Sequence, residues 1–310
     1  MKRATAIFRF GCLVLAVDLC LAVFAGPSQV FAEEESKREL TIYTVNYPLK
    51  YFAERIAGDH ATVVFPAPAG VDPAFWTPDP GTVRDYQDAT LILLNGATYA
   101  KWTTKATLPQ SRCVNTSKAF RESYIEVSAG VTHSHGKGGE HSHSGTAFTT
   151  WLDFGQATAQ AEAIKVALSR KLPGESATFE KSFELLANDL LALDEEIKKI
   201  VAGEPERPFV ASHPVYQYFA RRYGVNLKSV MWEPEDMPAE EQWTELEHVL
   251  ESHPAKWMIW EGAPNPESVK KLESLGVRSV VFDPCGNAPE KGDFLAVMQE
   301  NVRNLRKAFE

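Results

Sequence analysis

Four of the chain's eight histidines lie within eleven residues, His133-Ser134-His135-Gly136-Lys137-Gly138-Gly139-Glu140-His141-Ser142-His143. Imidazole is the commonest protein ligand for zinc, copper and nickel, and the glycines between two His-x-His pairs let one segment wrap an ion. A solvated polar loop is the alternative. With only four histidines among the other 299 residues, the clustering points to transition-metal contact. Three further residues sit where strands are expected to end: His213 in Ser212-His213-Pro214, Glu261 before Gly262, and Asp283 in Asp283-Pro284-Cys285-Gly286. Each alone is equally well a cap or a backbone hydrogen-bond partner. On one rim together, they form a nitrogen-plus-oxygen set suited to a divalent ion.

The elements that must hold these residues alternate as strand and helix, which implies parallel sheets with crossover connections. In the first half, Glu39–Val45, Ala61–Phe65 and Ala89–Leu94 read as strands and Pro48–Ile56 and Pro80–Gln87 as helices. Gly155–Leu172 is a helix with Asp153 as its N-cap. Over Glu175–Val201, Phe179, Phe183, Leu186, Leu190, Leu193, Ile197 and Ile200 repeat at alternating four and three spacing, one apolar stripe on a helix about 40 Å long. With α/β units on both sides, that helix is expected to be a strut packed along both halves rather than a coiled-coil partner. The second half supplies strands at 208–212, 227–232, 256–260 and 278–282, each followed by a helix (214–223, 239–250, 266–275 and 292–309). The expected fold is α/β, two doubly wound parallel-sheet lobes joined by one long helix. Ligands collect at the carboxyl ends of strands in such sheets.

Residues 1–32 read as a secretory signal peptide: Lys2, Arg3 and Arg9, an apolar run from Gly11 to Ala25, then Val30-Phe31-Ala32. Asp18 inside the run leaves an uncleaved N-terminal anchor as the alternative. The expected organisation is signal peptide 1–32, N-terminal lobe 33–172 with a His-rich loop at 130–147, linking helix 173–203 and C-terminal lobe 204–310. Without the first 32 residues the net charge is -11, which repels nucleic acid and mildly favours cations. Cys113 and Cys285, the remaining cysteines, read as small buried residues rather than a disulfide framework. Phe75, Trp76, Trp151, Trp232 and Trp260 read as lobe packing before cleft lining. His60, His248 and His253 read as surface or helix-end residues. A zinc hydrolase is disfavoured, because no His-Glu-x-x-His, Gly-x-Ser-x-Gly or phosphate-binding glycine loop accompanies His213, Glu261 and Asp283.

These segments in this order resemble the periplasmic solute-binding proteins of zinc and manganese ABC transporters. The resemblance rests on Thr44-Val45-Asn46-Tyr47-Pro48-Leu49, Gly70-Val71-Asp72-Pro73, Asn95-Gly96-Ala97, the His-rich loop, Trp151-Leu152-Asp153, the long helix, Ser212-His213 and Phe282-Asp283-Pro284. It implies two lobes around a cleft metal, Zn(II) first and Mn(II) or another divalent ion second. It also implies delivery to a membrane ABC permease by a monomer located in the periplasm or secreted. Of the four ligands it implies, His213 and Asp283 are kept, whereas Ala74 and Thr149 stand where histidines are expected. Two readings fit this loss. In one, the loop supplies the missing ligands from His133, His135, His141 and His143, with Glu261 in reserve. In the other, the chain is a degenerate member that binds a different ligand or buffers metal through the loop alone.

Overall fold

Short strands build the two halves of the protein, and the burial on both faces of three inner ones, Leu91–Leu94, Pro208–Ala211 and Trp257–Trp260, is what a helix-covered parallel sheet demands. The computed structural model describes residues 40–127 and 145–310, with the backbone of 133–135 and 139–141. The proposed signal peptide and His143 lie outside these residues. The elements are β1 (Leu40–Thr44), α1 (Tyr47–Ala57), β2 (Ala61–Val64), α2 (Pro80–Asp88), β3 (Leu91–Leu94), β4 (Cys113–Asn115), the short strands β5 (Glu126–Val127), β6 (His133–His135), β7 (Gly139–His141) and β8 (Gly145–Thr146), and α3 (Phe154–Lys171). They continue with α4 (Ser176–Val201), β9 (Pro208–Ala211), α5 (Gln217–Tyr223), β10 (Asn226–Ser229), α6 (Glu240–Ser252), β11 (Trp257–Trp260), α7 (Pro266–Ser274), β12 (Arg278–Val281) and α8 (Phe294–Phe309).

Two four-stranded parallel sheets result, ordered β2-β1-β3-β4 and β10-β9-β11-β12. The fold class expected from the sequence is the one found. The edge strand β4 was not foreseen, because Cys-Val-Asn is too short and polar to carry a strand signal. The expected strand 227–232 is hydrogen-bonded as a strand only over Asn226–Ser229, its continuation toward Trp232 being an irregular extension of the same edge. Asp153 caps α3 as expected, accepting from the Gln156 backbone N–H at 3.1 Å.

The long helix α4 behaves as a strut. Phe179, Leu186, Leu190, Leu193 and Ile197 are buried, Phe183 and Ile200 pack at the margin, and all join one core with residues of both halves. It packs against α1 and α3 on one side and α5 and α8 on the other. Burying each large apolar side chain in that stripe stabilises the fold by about 1.5–3 kcal/mol. Asp194 is also buried in the stripe, held by the Arg222 guanidinium at 2.9 and 2.7 Å, the Tyr223 hydroxyl at 2.9 Å and the Lys198 ammonium at 2.7 Å. Arg222 in addition faces Asp153 at 3.5 Å, so one guanidinium ties α5 to the strut and to the cap of α3. The second sheet has its own small core, in which Trp232, Trp243 and Trp260 pack together.

Candidate metal centre

Along the carboxyl edge of the second sheet, backbone hydrogen bonds tie together Ser212, Trp260, Phe282 and, on the irregular extension three residues past β10, Trp232. The Ser212 N–H donates to the Ile259 carbonyl at 2.9 Å, the Trp232 N–H to the Ser212 carbonyl at 2.7 Å, and the Phe282 N–H to the Trp260 carbonyl at 2.8 Å. One residue past that last rung, the chains carry His213, Glu233, Glu261 and Asp283 in turn. The large side chains of the last rung, Trp232, Trp260 and Phe282, are buried, which leaves the next residue of each strand at the mouth of the cleft.

His213 is 1% exposed, and its Nδ1 lies 3.7 Å from Oε1 of Glu233 and 3.7 Å from Oε1 of Glu261. One ligand atom from each of the three falls within 4.8 Å of the others. Two ligands on a zinc-sized ion, with bonds of about 2.1 Å, stand ~3.4 Å apart, so small side-chain rotations close the set on a metal. Its electrostatics suit a cation. Burial pushes the Glu261 carboxyl well above the usual range, and Glu233, Asp72, Asp283 and Glu235 add to the rise. Asp283 is raised by burial, partly offset by the Cys285 N–H that donates to its Oδ1 at 2.6 Å. A divalent ion relieves that crowding of negative charge.

The expected ligands are thus only partly brought together. His213 and Glu261 meet directly. Asp283 stands outside the trio among the described residues and acts on it electrostatically. Its backbone is gripped by the buried Asn301, whose Oδ1 accepts from the Asp283 N–H at 2.9 Å and whose Nδ2 donates to the Asp283 carbonyl at 2.7 Å. Sequence reasoning missed Glu233. The signal was available in its place after the Trp232 strand, but Glu233-Pro234-Glu235-Asp236 reads as a solvated acidic turn.

Opposite, the first lobe offers no histidine at the two positions where the resemblance expects one. Ala74 is fully buried, its N–H donating to Oδ1 of Asp72 at 2.8 Å and its carbonyl accepting from the Lys101 N–H at 3.1 Å. Thr149 is buried, and its hydroxyl donates to the Val215 carbonyl just past His213. The Asn46 and Asn95 motifs are scaffolding. Asn46 caps α1, accepting from the Leu49 N–H at 3.1 Å. Asn95 accepts from Asn46 at 3.2 Å and Gln160 at 3.1 Å and donates to the Phe148 carbonyl at 2.9 Å, fixing the segment that leads to Thr149. The loop 283–287 locks across the cleft: the Tyr47 N–H donates to the Gly286 carbonyl at 3.0 Å, the Trp151 indole to the Pro284 carbonyl at 2.7 Å, and Asn287 to the Pro68 and Val71 carbonyls, each at 2.7 Å. Cys285 in that loop adopts φ 56°, a left-handed conformation that costs a non-glycine residue about 1 kcal/mol or more.

For the His-rich segment the backbone register pairs His133 with His141 and His135 with Gly139. Its root, β5 against β8, is held by α5: the Tyr218 hydroxyl donates to the Ala147 carbonyl at 2.9 Å and accepts from the Ile125 N–H at 3.2 Å. Three further histidines among the described residues serve packing or the surface. His253, expected as a helix-end cation, is buried instead, its Nε2 donating to the Phe209 carbonyl at 2.8 Å; closure of α6 onto β9 puts it in the core. His248 is exposed beside Glu251, and His60 packs edge-on against Phe179. Trp151, Trp232 and Trp260 are lobe packing. Cys285 is buried, Cys113 is half-buried on β4, and neither is bridged.

Two parallel-sheet lobes packed along one long helix, with a histidine and carboxylates at the carboxyl edge of the second sheet, are the arrangement to set against known proteins. The chain belongs to the family described as zinc-uptake complex component A, periplasmic, whose model matches residues 42–308. It is 25% identical over 307 residues to the zinc-binding lipoprotein AdcA of Streptococcus pneumoniae, covering 95% of this chain and 60% of that protein. It is 24% identical over 319 residues to the high-affinity zinc uptake system protein ZnuA of Bacillus subtilis, covering 96% of this chain and 97% of that protein. The chain thus spans about 60% of the length of the first relatives it matches. Among solved structures, its fold is similar to the metal-dependent lipoprotein YcdH of B. subtilis, with a TM-score of 0.74 at 21% identity over 87% of this chain and 98% of that one. It is also similar to Zn(II)-bound AdcA of S. pneumoniae, with a TM-score of 0.72 at 21% identity over 87% of this chain and 57% of that one.

Proposed function

We propose that this protein is the solute-binding component of a metal ABC transporter, capturing Zn(II) or a related divalent ion outside the cytoplasm and presenting it to a membrane permease. The observation that carries this reading is the buried His213 imidazole between two carboxylates at the carboxyl edge of the second sheet, in a chain of the zinc-uptake family. His213 and Asp283 occupy two of the positions that the family resemblance gives to ligands. Histidines 133, 135, 141 and 143 add a separate supply of imidazoles on the first lobe, suited to collecting ions. The strut α4, packed along both halves, favours capture with little lobe movement. The stretch 1–32 acts as the export signal, and the lobes run over 33–172 and 204–310 around the linking helix 173–203.

The test is a metal titration of the demetallated full chain, followed by uptake measurements with its permease in vesicles. One tightly bound equivalent of Zn(II), lost on His213→Ala, together with transport that depends on the protein, is the expected result. A protein that binds no divalent metal refutes the reading.

A further inference from the structure

The two histidines that the family resemblance expects from the first lobe are replaced by a methyl group and a hydroxyl already donated to Val215, so these positions bring no ligand to the ion. The second lobe carries a surplus. Its strand ends present Glu233 and Glu261 as well as His213 and Asp283, and neither glutamate belongs to the ligand set that the resemblance implies. Both glutamate side chains are 21% exposed, open enough to receive an ion and sheltered enough to be worth neutralising. They flank the same ring nitrogen of His213, each at 3.7 Å, so the imidazole is the shared apex of a three-donor face. This face rests on the sheet: His213 and Glu261 stand two residues and one residue past β9 and β11, and Glu233 follows Trp232, whose N–H donates to the Ser212 carbonyl at 2.7 Å.

We propose that Glu233 and Glu261 take over the two ligand positions vacated at Ala74 and Thr149, so that the ion is held by the second lobe alone through His213, Glu233 and Glu261. The resulting set is one imidazole with two carboxylates. Zinc in closed protein sites favours tetrahedral nitrogen and sulfur ligands, whereas carboxylate and water ligands suit harder ions that take six ligands. The site accordingly takes a divalent cation that accepts oxygen ligands and keeps water in its open positions, and it is assembled before the lobes meet the ion. This inference rests on the metal-capture reading above.

The test uses the demetallated full chain with Mn(II), Zn(II) and Co(II) as probes, comparing Glu233→Gln, Asp72→Asn and the variant with His133, His135, His141 and His143 all replaced by alanine. Losing a residue that merely supports a ligand costs a metal site about 10–100-fold, so Glu233→Gln should weaken Mn(II) binding by at least about tenfold. Removing the charge of Asp72, an exposed carboxylate of the first lobe that acts on the site through its charge alone, should weaken it by no more than about threefold. The loop variant should keep one tightly bound Mn(II) and lose only weaker ions collected by the loop, and Co(II) at the tight site should show the weak visible absorption of a six-coordinate ion. Intense tetrahedral Co(II) absorption that disappears in the loop variant would overturn the inference and leave metal capture standing, with the loop completing the cleft. Unchanged binding in Glu233→Gln also overturns it. No binding of any of the three metals removes the capture reading itself.

Discussion

The two lobes share a fold and differ at the edge that faces the cleft. On the first lobe, the positions that could hold ligands are filled by packing: Ala74 is fully buried, and Thr149 spends its hydroxyl on the Val215 carbonyl. On the second, the corresponding edge carries Glu261, pushed upward by burial and by neighbouring carboxylates, and Asp283, pushed upward by burial. One edge is optimised for lobe–lobe contact and the other is left electrostatically strained, and strain of that kind marks a binding site more reliably than the fold does.

The largest effect that can break this comparison is removal of the histidine at the centre of the second edge. His213→Ala should lower metal affinity more than about 100-fold, beyond the loss expected from a merely supporting residue, as read by competition with a chromophoric chelator. An unchanged affinity places the ion elsewhere, and the contrast between the lobes then has no functional meaning.

Next comes the tie that holds the two edges in one frame. Arg222→Ala leaves Asp194 buried with only Lys198 and Tyr223, and should cost about 2 kcal/mol in urea unfolding, less than the 3–5 kcal/mol of a sole buried partner. Burial alone would raise the Asp194 carboxyl, but hydrogen bonds from Arg222, Lys198 and Tyr223 outweigh it and hold it below its ordinary value. A depressed carboxylate contributes stability that is complete above its unfolded value, about 3.9, and is lost as pH falls through the folded one. The wild type should therefore lose stability in acid along that range, and the variant should show a shallower dependence.

A smaller effect tests whether the first edge is closed. Thr149→His must force a ring into a buried, hydrogen-bonded position and should destabilise the apo protein by about 1–3 kcal/mol, measured by thermal unfolding, without strengthening zinc binding. A variant that is as stable as the wild type and binds zinc more tightly would show the first edge to be an open site that has merely lost its ligand.

The smallest effect sharpens the second edge. The raised Glu261 carboxyl binds its proton more tightly folded than unfolded, so it lowers apo stability as pH rises from the unfolded value of about 4.3 through the folded one. Glu261→Gln should remove that decline and leave the apo protein more stable at neutral pH by a modest margin, seen as a higher Tm only above the ordinary carboxylate range. A decline equal to that of the wild type would show that Glu261 is not under electrostatic pressure.

Much of this was legible in the sequence because it is local. The stripe from Phe179 to Ile197 specifies a helix with one buried face, Asp153 announces a cap, and the alternating segments of the second half specify a parallel sheet. His213 and Glu261 are legible because each stands directly after a short apolar strand. Glu233 was not, since its place on the rim depends on Trp232 bonding to Ser212, distant in the chain, while its own neighbours read as an acidic turn. His253 failed for the same reason: beside an acidic helix it reads as solvent-facing, and only the closure of α6 on β9 buries it.

The sequence by itself determined the class of the fold and the order of its elements, because residue type and periodicity are local properties. Tertiary structure alone decided which donors meet. Backbone hydrogen bonds between neighbouring strands, including the one that ties Trp232 beyond β10 to Ser212, are invisible in any one strand and bring His213, Glu233 and Glu261 within reach of a single ion.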